Sequence, residues 1–181
     1  MTRIILLGYM GAGKTTIGHA LAKVLRLPFY DLDWYIESRM HKSVKQIFDE
    51  KGEEWFRKIE RNMLHEVAEF ENVVASCGGG TPCFFDNMDY MNLQADTVYL
   101  KATPEVLYEH LQMGRTVRPL LLGKSPEEVR IFIREQLQER EKYYSKARHT
   151  LDVNLMDNHK KVYITVRRLL ETIHYEDPFS V

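Results

Sequence analysis

The chain has 181 residues, of which 44% are hydrophobic and 28% charged, and this predicts one globular domain spanning residues 1–181. A net charge of −1 argues against the broad basic surface expected of a nucleic-acid or anionic-membrane binder. The apolar runs are too short for a membrane span. The two cysteines lack zinc-site spacing, and this favours a reducing, cytoplasmic setting.

Strands and helices alternate along the chain. Short apolar runs bounded by turn residues predict five strands, at 3–8, 28–33, 72–76, 97–102 and 150–154. Helical spacing and capping residues predict helices from 14 to Pro28, at about 34–51, 53–70 and 86–94, from Pro104, from Pro126 to about Tyr144, and at 158–174. This alternation predicts an α/β fold in which helices cover both faces of a parallel sheet.

The first strand leads into the stretch GYMGAGKTT. Gly8-x-x-x-x-Gly13-Lys14-Thr15 fits the P-loop pattern, with a strand before it and a helix after it. Glycines let successive backbone N–H groups converge on phosphate oxygens, and the helix N-terminus adds its positive end to the same anion. Lys14 is expected to reach the β- and γ-phosphates, and the Thr15 hydroxyl to bind Mg²⁺. The sequence therefore predicts a nucleotide site here.

Two carboxylates follow the second predicted strand. No guanine-reading N-K-x-D is present, and the strand NVVAS ends at Cys77 where long ATPases place a metal-binding Asp. Asp31 and Asp33 lie two residues apart, so on an extended segment both side chains would point to the crevice at the strand's C-terminal end. One would hold Mg²⁺ through water and the other would meet a substrate hydroxyl. The alternative is that both are turn or helix-capping residues.

Four further features each have an ordinary alternative. Arg57 lies in a Glu/Arg-rich helix and could face solvent, and the glycines after Cys77 could form a simple loop. Arg115 and Arg118 lie between two well-capped helices, in a lid over ATP or in a surface connector. Arg140 lies near the end of a helix, where basic residues are common.

In this order behind a P-loop, these features resemble the shikimate kinases. The resemblance covers about residues 3 to 157 and depends on GxMGAGKT, FYDLD followed by IE, GEEWFRxxE, GGG, RPLL and ERxxYY. It implies a three-layer P-loop NTPase fold with a five-stranded parallel sheet. It also implies a substrate-binding helical region at about 33–61 and a lid at about 112–124. The implied reaction is transfer of the γ-phosphoryl group of ATP to the 3-hydroxyl of shikimate, in the pathway to chorismate and the aromatic amino acids.

The resemblance also implies roles for individual residues. Lys14, Asp33 and Arg118 are expected to be catalytic, while Thr15, and Asp31 through water, would hold one Mg²⁺ ion. The ATP-binding set is Gly11, Ala12, Gly13, Lys14, Thr15, Thr16, Arg115, Arg118 and Asp157. The shikimate-binding set is Asp33, Arg57, Gly78, Gly79, Gly80 and Arg140. The family acts on small molecules, so no nucleic-acid or membrane partner is expected, and the chain is expected to be a monomer.

One departure concerns Cys77, which occupies a position where the family usually has Thr, beside the metal and the pocket. A thiol is a weaker hydrogen-bond partner than a hydroxyl, so the surroundings of the metal would differ. An accessible thiol here would also make the enzyme sensitive to thiol reagents.

Other functions stay open at this point. A gluconate-type or nucleotide kinase would share the P-loop and the acidic pair. It has less reason for Arg57, Arg140 and three glycines in this order, and an adenylate kinase brings more lid arginines than two. A non-catalytic ATP-binding regulator would be expected to have lost Lys14, Thr15 or an aspartate, and all are intact.

Overall fold

A computed structural model describes residues 1–114 and 121–175. Its strands are β1 (Arg3–Leu7), β2 (Phe29–Asp31), β3 (Val73–Ser76), β4 (Asp96–Lys101) and β5 (His149–Asp152). They form one parallel sheet in the order β2-β3-β1-β4-β5. The α-helices of the described residues are α1 (Lys14–Leu25), α2 (Leu32–Met40), α3 (Val44–Ala68), α4 (Asn87–Gln94), α5 (Pro104–Met113), α6 (Pro126–Tyr144) and α7 (His159–Thr172). The predicted α/β class and the five parallel strands are confirmed.

The central strand explains the apolar start of the sequence. In β1, Ile5 lies opposite Ala75 of β3 and Thr97 of β4, and Ile4 to Leu7 are buried. A strand flanked on both sides and covered on both faces shows a continuous apolar run instead of alternation. Among the helices, α1 contacts α7, and α3 contacts α4. Because the strands are parallel, all of them end at the same edge, which bears the site.

The helix predicted over 34–51 is wrong, because the chain turns within it. α2 ends at Met40, His41 adopts a left-handed conformation with φ 53°, and α3 begins after Ser43. Ser43 and Gln46 form a capping box, which is a sequence signal for the start of a helix. The prediction followed the helical periodicity and missed this signal. The turn predicted at KGEE is confirmed as a kink in α3 at Gly52, whose φ is 79° and ψ 170°.

The second strand is shorter than the predicted 28–33. It ends at Asp31, and Asp31 caps α2 by accepting a hydrogen bond from the Asp33 backbone N–H at 3.2 Å. The idea that Asp31 and Asp33 share an extended segment is therefore wrong, since Asp33 lies in the first turn of a helix. None of the helices in the described part of the chain is long and apolar enough to cross a membrane.

Candidate active site

Lys14 stabilises the conformation of the loop between β1 and α1. Lys14 Nζ donates to the carbonyl oxygens of Gly8, at 2.9 Å, and Tyr9, at 3.0 Å. Gly11 and Gly13 have φ values of 83° and 87°, a region that favours glycine. No acidic residue lies in the first turn of α1, and no side chain caps it. The loop therefore presents backbone N–H groups and an ammonium group, which is the chemistry of a phosphate site.

Most of the predicted nucleotide-binding residues line one cavity of about 440 Å³ with the two aspartates. The predicted residues in its wall are Gly11, Gly13, Lys14, Thr15, Thr16, Asp31, Asp33, Gly78, Gly79 and Asp157. Ala12 is buried and is not among the residues that line this cavity. Arg115 and Arg118, with the rest of 115–120 in the predicted lid, lie outside the described residues.

Asp31 receives two hydroxyl groups on one carboxylate oxygen. Thr15 Oγ1 donates to Asp31 Oδ2 at 2.8 Å, and Ser76 Oγ donates to the same oxygen at 3.1 Å. The lone pairs of the Thr15 hydroxyl remain available to a cation. Mg²⁺ prefers oxygen ligands and typically takes one or two from the protein and the rest from phosphate and water. The Thr15 and Asp31 oxygens fit that donor set.

Cys77 plays a different part from the one predicted. Its side chain is buried and faces the Leu6 carbonyl at 3.8 Å, and the hydroxyl beside Asp31 comes from Ser76. Burial raises the pKa of the Cys77 thiol well above its usual value. A buried, protonated thiol is inert, so the accessibility that sensitivity to thiol reagents would require is not met at Cys77.

Asp33 is the electrostatically unusual group of the cavity. Burial, followed by the nearby charges of Asp31 and Glu60, raises its pKa to about 6, against an opposing effect of Lys14. Among the described residues, no side chain is seen to donate a hydrogen bond to its carboxylate. Asp33 is therefore a buried carboxyl with unused acceptor capacity, which suits contact with a hydroxyl of a ligand.

The glycines after β3 leave room for charged side chains. A Cβ added at Gly78 would lie 3.2 Å from Asp33 Oδ1, and one at Gly79 would lie 3.5 Å from Arg140 Nη1. At Gly80 it would come within 2.9 Å of Arg57 Nη2, closer than real Cβ contacts allow. The three consecutive glycines thus adjoin the acidic group and both predicted arginines. The reading as a simple loop is not supported.

Arg57 is fixed from several sides. Its Nη1 donates to Glu60 Oε2 at 2.9 Å, and its Nη2 donates to Glu53 Oε1 at 3.1 Å. The guanidinium carbon lies 4.1 Å from the centroid of the Phe84 ring. Glu60 is 1% exposed and also accepts from Thr81 Oγ1 at 2.6 Å. Arg57 is therefore a half-buried, oriented cation, and the reading as a solvated side chain is wrong.

Glu60 is a residue whose role the sequence analysis missed, although it is the last residue of GEEWFRKIE. A glutamate three residues after an arginine normally indicates a surface ion pair on a helix. Its place in that motif is the sequence feature that could have indicated its role, because Glu60 lies one turn after the arginine that it orients.

Arg140 approaches the same region from α6. Its Nη2 donates to Gln136 Oε1 at 2.7 Å, and its guanidinium lies over the Tyr9 ring at 5.6 Å. Arg57 and Arg140 both line a second cavity, of about 340 Å³, which also includes Gly80. The fold therefore brings together two arginines that are 83 positions apart in the sequence (140 − 57). Two guanidinium groups near one glycine run suit a carboxylate.

A second group that the sequence analysis missed is His110, which lies in the wall of the larger cavity. Its ring contacts the Gly11 carbonyl and the Met156 backbone N–H. A histidine near the end of a helix gives no such signal in sequence. Asp157 lies in the wall of the same cavity, where it accepts a hydrogen bond from Lys161 at 2.7 Å, and this bond lowers its pKa.

Comparison with known proteins places this site in a family. The family model for shikimate kinase matches residues 10–173. The chain is 53% identical over 174 residues to a shikimate kinase of Phocaeicola vulgatus, covering 96% of this chain and 99% of that protein. It is 58% identical over 156 residues to one of Parabacteroides distasonis, covering 86% and 90%.

Solved structures of shikimate kinases are similar to this chain as well. The crystal structure of a shikimate kinase from Bacteroides thetaiotaomicron has a TM-score of 0.92 at 49% identity, covering 96% of this chain and 98% of that one. One from Acinetobacter baumannii in complex with shikimate has a TM-score of 0.81 at 29% identity, covering 96% and 94%. A gluconokinase from Sinorhizobium meliloti, at 17% identity, a TM-score of 0.53 and coverage of 96% and 95%, shares the fold alone.

The raised pKa of Asp33 predicts that replacing this residue stabilises the ligand-free protein. Between about pH 4 and 6 the folded protein keeps a proton that the unfolded chain releases, so stability falls as the pH rises through this interval. A shift from 3.8 to about 6 corresponds to about 3 kcal/mol. Asp33→Asn should therefore raise the free energy of unfolding at pH 7.5 by about 1–3 kcal/mol, and the gain should shrink below pH 4.

Chemical denaturation at pH 7.5 and at pH 3.5 to 4 measures this difference. Asp49→Asn is the matched control, because the Asp49 side chain is 62% exposed on α3. It should show little pH-dependent difference from wild type. An Asp33→Asn variant that is no more stable than wild type at pH 7.5 would contradict the prediction.

Proposed function

The chain belongs to the shikimate kinase family, and we propose that the P-loop cavity described above is where its reaction takes place. As an ATP-dependent phosphotransferase, the enzyme moves the γ-phosphoryl group of ATP to the 3-hydroxyl of shikimate, giving ADP and shikimate 3-phosphate. The observation that supports this location best is the glycine run at 78–80. It adjoins Asp33 at one end and Arg57 and Arg140 at the other, and it lies beside the phosphate loop.

The donor half of the proposal assigns ATP to the loop at 11–16. Backbone N–H groups and Lys14 would bind the β- and γ-phosphates, since they are the positive groups at this end of the cavity. One Mg²⁺ ion, held by Thr15 and through water by Asp31, would neutralise phosphate charge. Arg118, with Arg115, is assigned to the phosphates on the sequence resemblance alone.

The acceptor half assigns shikimate to the space between Asp33 and the two arginines. Arg57 and Arg140 would bind the carboxylate, because a guanidinium offers two parallel donors to its oxygens. Asp33 would accept a hydrogen bond from the reacting hydroxyl. As the new P–O bond forms and the bond to the ADP oxygen breaks, the hydroxyl proton passes to Asp33. A pKa of about 6 makes Asp33 a better proton acceptor than an ordinary aspartate while leaving it mostly ionised at pH 7.5.

Two features bear on where and in what form the enzyme works. Cys77 and Cys83 are both free, as expected in a reducing compartment, and we propose a cytoplasmic location. We propose action as a monomer on the sequence resemblance alone.

The proposal predicts rapid turnover of ATP only with shikimate as the acceptor. A coupled ADP-release assay should give a high rate with shikimate and background rates with gluconate or AMP, because AMP has no carboxylate and gluconate is a flexible open chain without a ring to fix its carboxylate relative to a hydroxyl. Equal ADP release with and without shikimate would contradict the proposal. Preference for gluconate or AMP would instead identify a related kinase.

Arg57→Ala should weaken transition-state binding of shikimate without affecting ATP. Truncating one member of a charge pair costs about 2–5 kcal/mol, so kcat/KM for shikimate should fall by about 30- to 5000-fold. The KM for ATP should change less than twofold. Steady-state kinetics with each substrate varied in turn measures both effects.

Arg61→Ala is the matched control. Arg61 lies one turn further along α3 and is ion-paired with Asp86 at 2.8 Å, but its side chain is 38% exposed and away from both cavities. Because Arg57→Ala leaves Glu60 buried without its cation, the double variant with Glu60→Gln separates a folding defect from a binding defect. A large rise in the KM for ATP in a folded Arg57→Ala variant would assign Arg57 to the nucleotide instead.

A further inference from the structure

His110 makes hydrogen bonds to two separate segments of the cavity wall. It lies in the last turn of α5, with Nδ1 2.7 Å from the Gly11 carbonyl oxygen of the phosphate loop. Its Nε2 lies 2.9 Å from the backbone nitrogen of Met156, in the segment between β5 and α7. One imidazole therefore bridges the loop that binds phosphate and a segment 145 residues later (156 − 11).

The two partners fix the tautomer of this ring. A backbone N–H can only donate, so Nε2 must carry a lone pair to accept from Met156. A carbonyl oxygen can only accept, so Nδ1 must carry the hydrogen that goes to Gly11. His110 thus acts as a neutral donor on one side and a neutral acceptor on the other. Neither an alkyl side chain nor a hydroxyl spans both partners in this way.

The position of the bridge relates it to one end of the nucleotide. The γ-phosphate must face the acceptor groups at Asp33 and Gly79, so the base is expected to contact the lining residues that belong neither to the phosphate loop nor to the acceptor side. Those residues are His110, Met113, Gly114, Met156 and Asp157. Met156 also packs on the phosphate loop, because a Cβ added at Gly13 would collide with its terminal methyl group. Methionine side chains offer polarizable apolar contact to a flat ring.

We propose that His110 is a positioning residue for the donor nucleotide. Its hydrogen bond to Gly11 sets the phosphate loop, and its hydrogen bond to Met156 sets the wall against which the base packs. The distance between the phosphate site and the base site is thereby fixed before the nucleotide binds, which lowers the cost of ordering them on binding. This inference rests on the proposed function in one respect, that the cavity binds ATP.

The two hydrogen bonds can be removed one at a time. His110→Asn keeps an N–H near the position of Nδ1 but cannot reach Met156. His110→Gln brings its carbonyl oxygen near the position of Nε2 and loses the donor to Gly11. His110→Ala removes both. Glu109→Ala is the matched control, because Glu109 is the preceding residue of the same helix and is exposed.

Titration calorimetry with ADP and with inorganic tripolyphosphate, both with Mg²⁺, separates the two ends of the nucleotide. Each lost hydrogen bond should reduce the affinity about fivefold. His110→Asn should therefore weaken the binding of ADP and leave the binding of tripolyphosphate unchanged. His110→Gln should weaken both ligands alike, and His110→Ala should weaken ADP most. In kinetics, the KM for ATP should rise in each variant as its affinity for ADP falls, while the KM for shikimate stays within twofold of wild type.

The inference is overturned if all three His110 variants bind ADP within twofold of wild type. It is also overturned if His110→Asn and His110→Gln weaken both ligands equally, since that is the result of a purely structural role. Failure of the proposed function looks different. In that case wild type binds neither ligand, or Lys14→Ala leaves both affinities unchanged.

Discussion

The carboxyl groups of Asp31, Asp33 and Glu60 converge at the C-terminal edge of the sheet, and the rest of the site offsets the cost of burying them together. Asp31 and Glu60 each accept hydrogen bonds from two side chains. Asp33 receives none from the described side chains and depends on the nearby charge of Lys14, so the unfavourable electrostatics appear in its raised pKa. Unfavourable electrostatics of this kind are typical of functional sites, because a carboxylate with unused acceptor capacity can bind a substrate hydroxyl.

The parallel order of the strands explains why these groups meet. The three carboxyl groups come from the end of β2 and the two helices that follow it, Lys14 follows β1 and Gly78 follows β3, and parallel strands place all these C-terminal ends at one edge. The P-loop follows β1, the Asp31 segment follows β2 and the glycine run follows β3, and these strands are neighbours. The donor and acceptor halves of the proposed reaction are therefore adjacent, and residues far apart in sequence share one cavity.

Much of the fold could be predicted from sequence because local signals agreed with the tertiary structure. Apolar runs gave the five strands, and Thr103 and Ser125 marked two helix starts that the structure confirms. The break at His41 was missed because a left-handed residue other than glycine leaves no compositional trace, and because the helical periodicity outweighed the capping box at Ser43. At the site, Arg57 and Arg140 followed from motif order, but their contacts with Glu60 and Gln136 depend on helix packing. The bridge at His110 joins two loops and was beyond any local pattern.

The central claim is that the fold holds Asp33 buried among like charges with its acceptor capacity unused. An NMR titration of the Asp33 side-chain carboxyl carbon in the ligand-free protein tests it most directly. The expected pKa is about 6, and it should fall toward the ordinary value when Glu60→Gln removes a neighbouring charge. An Asp33 pKa near 4 that does not respond to this change would contradict the claim.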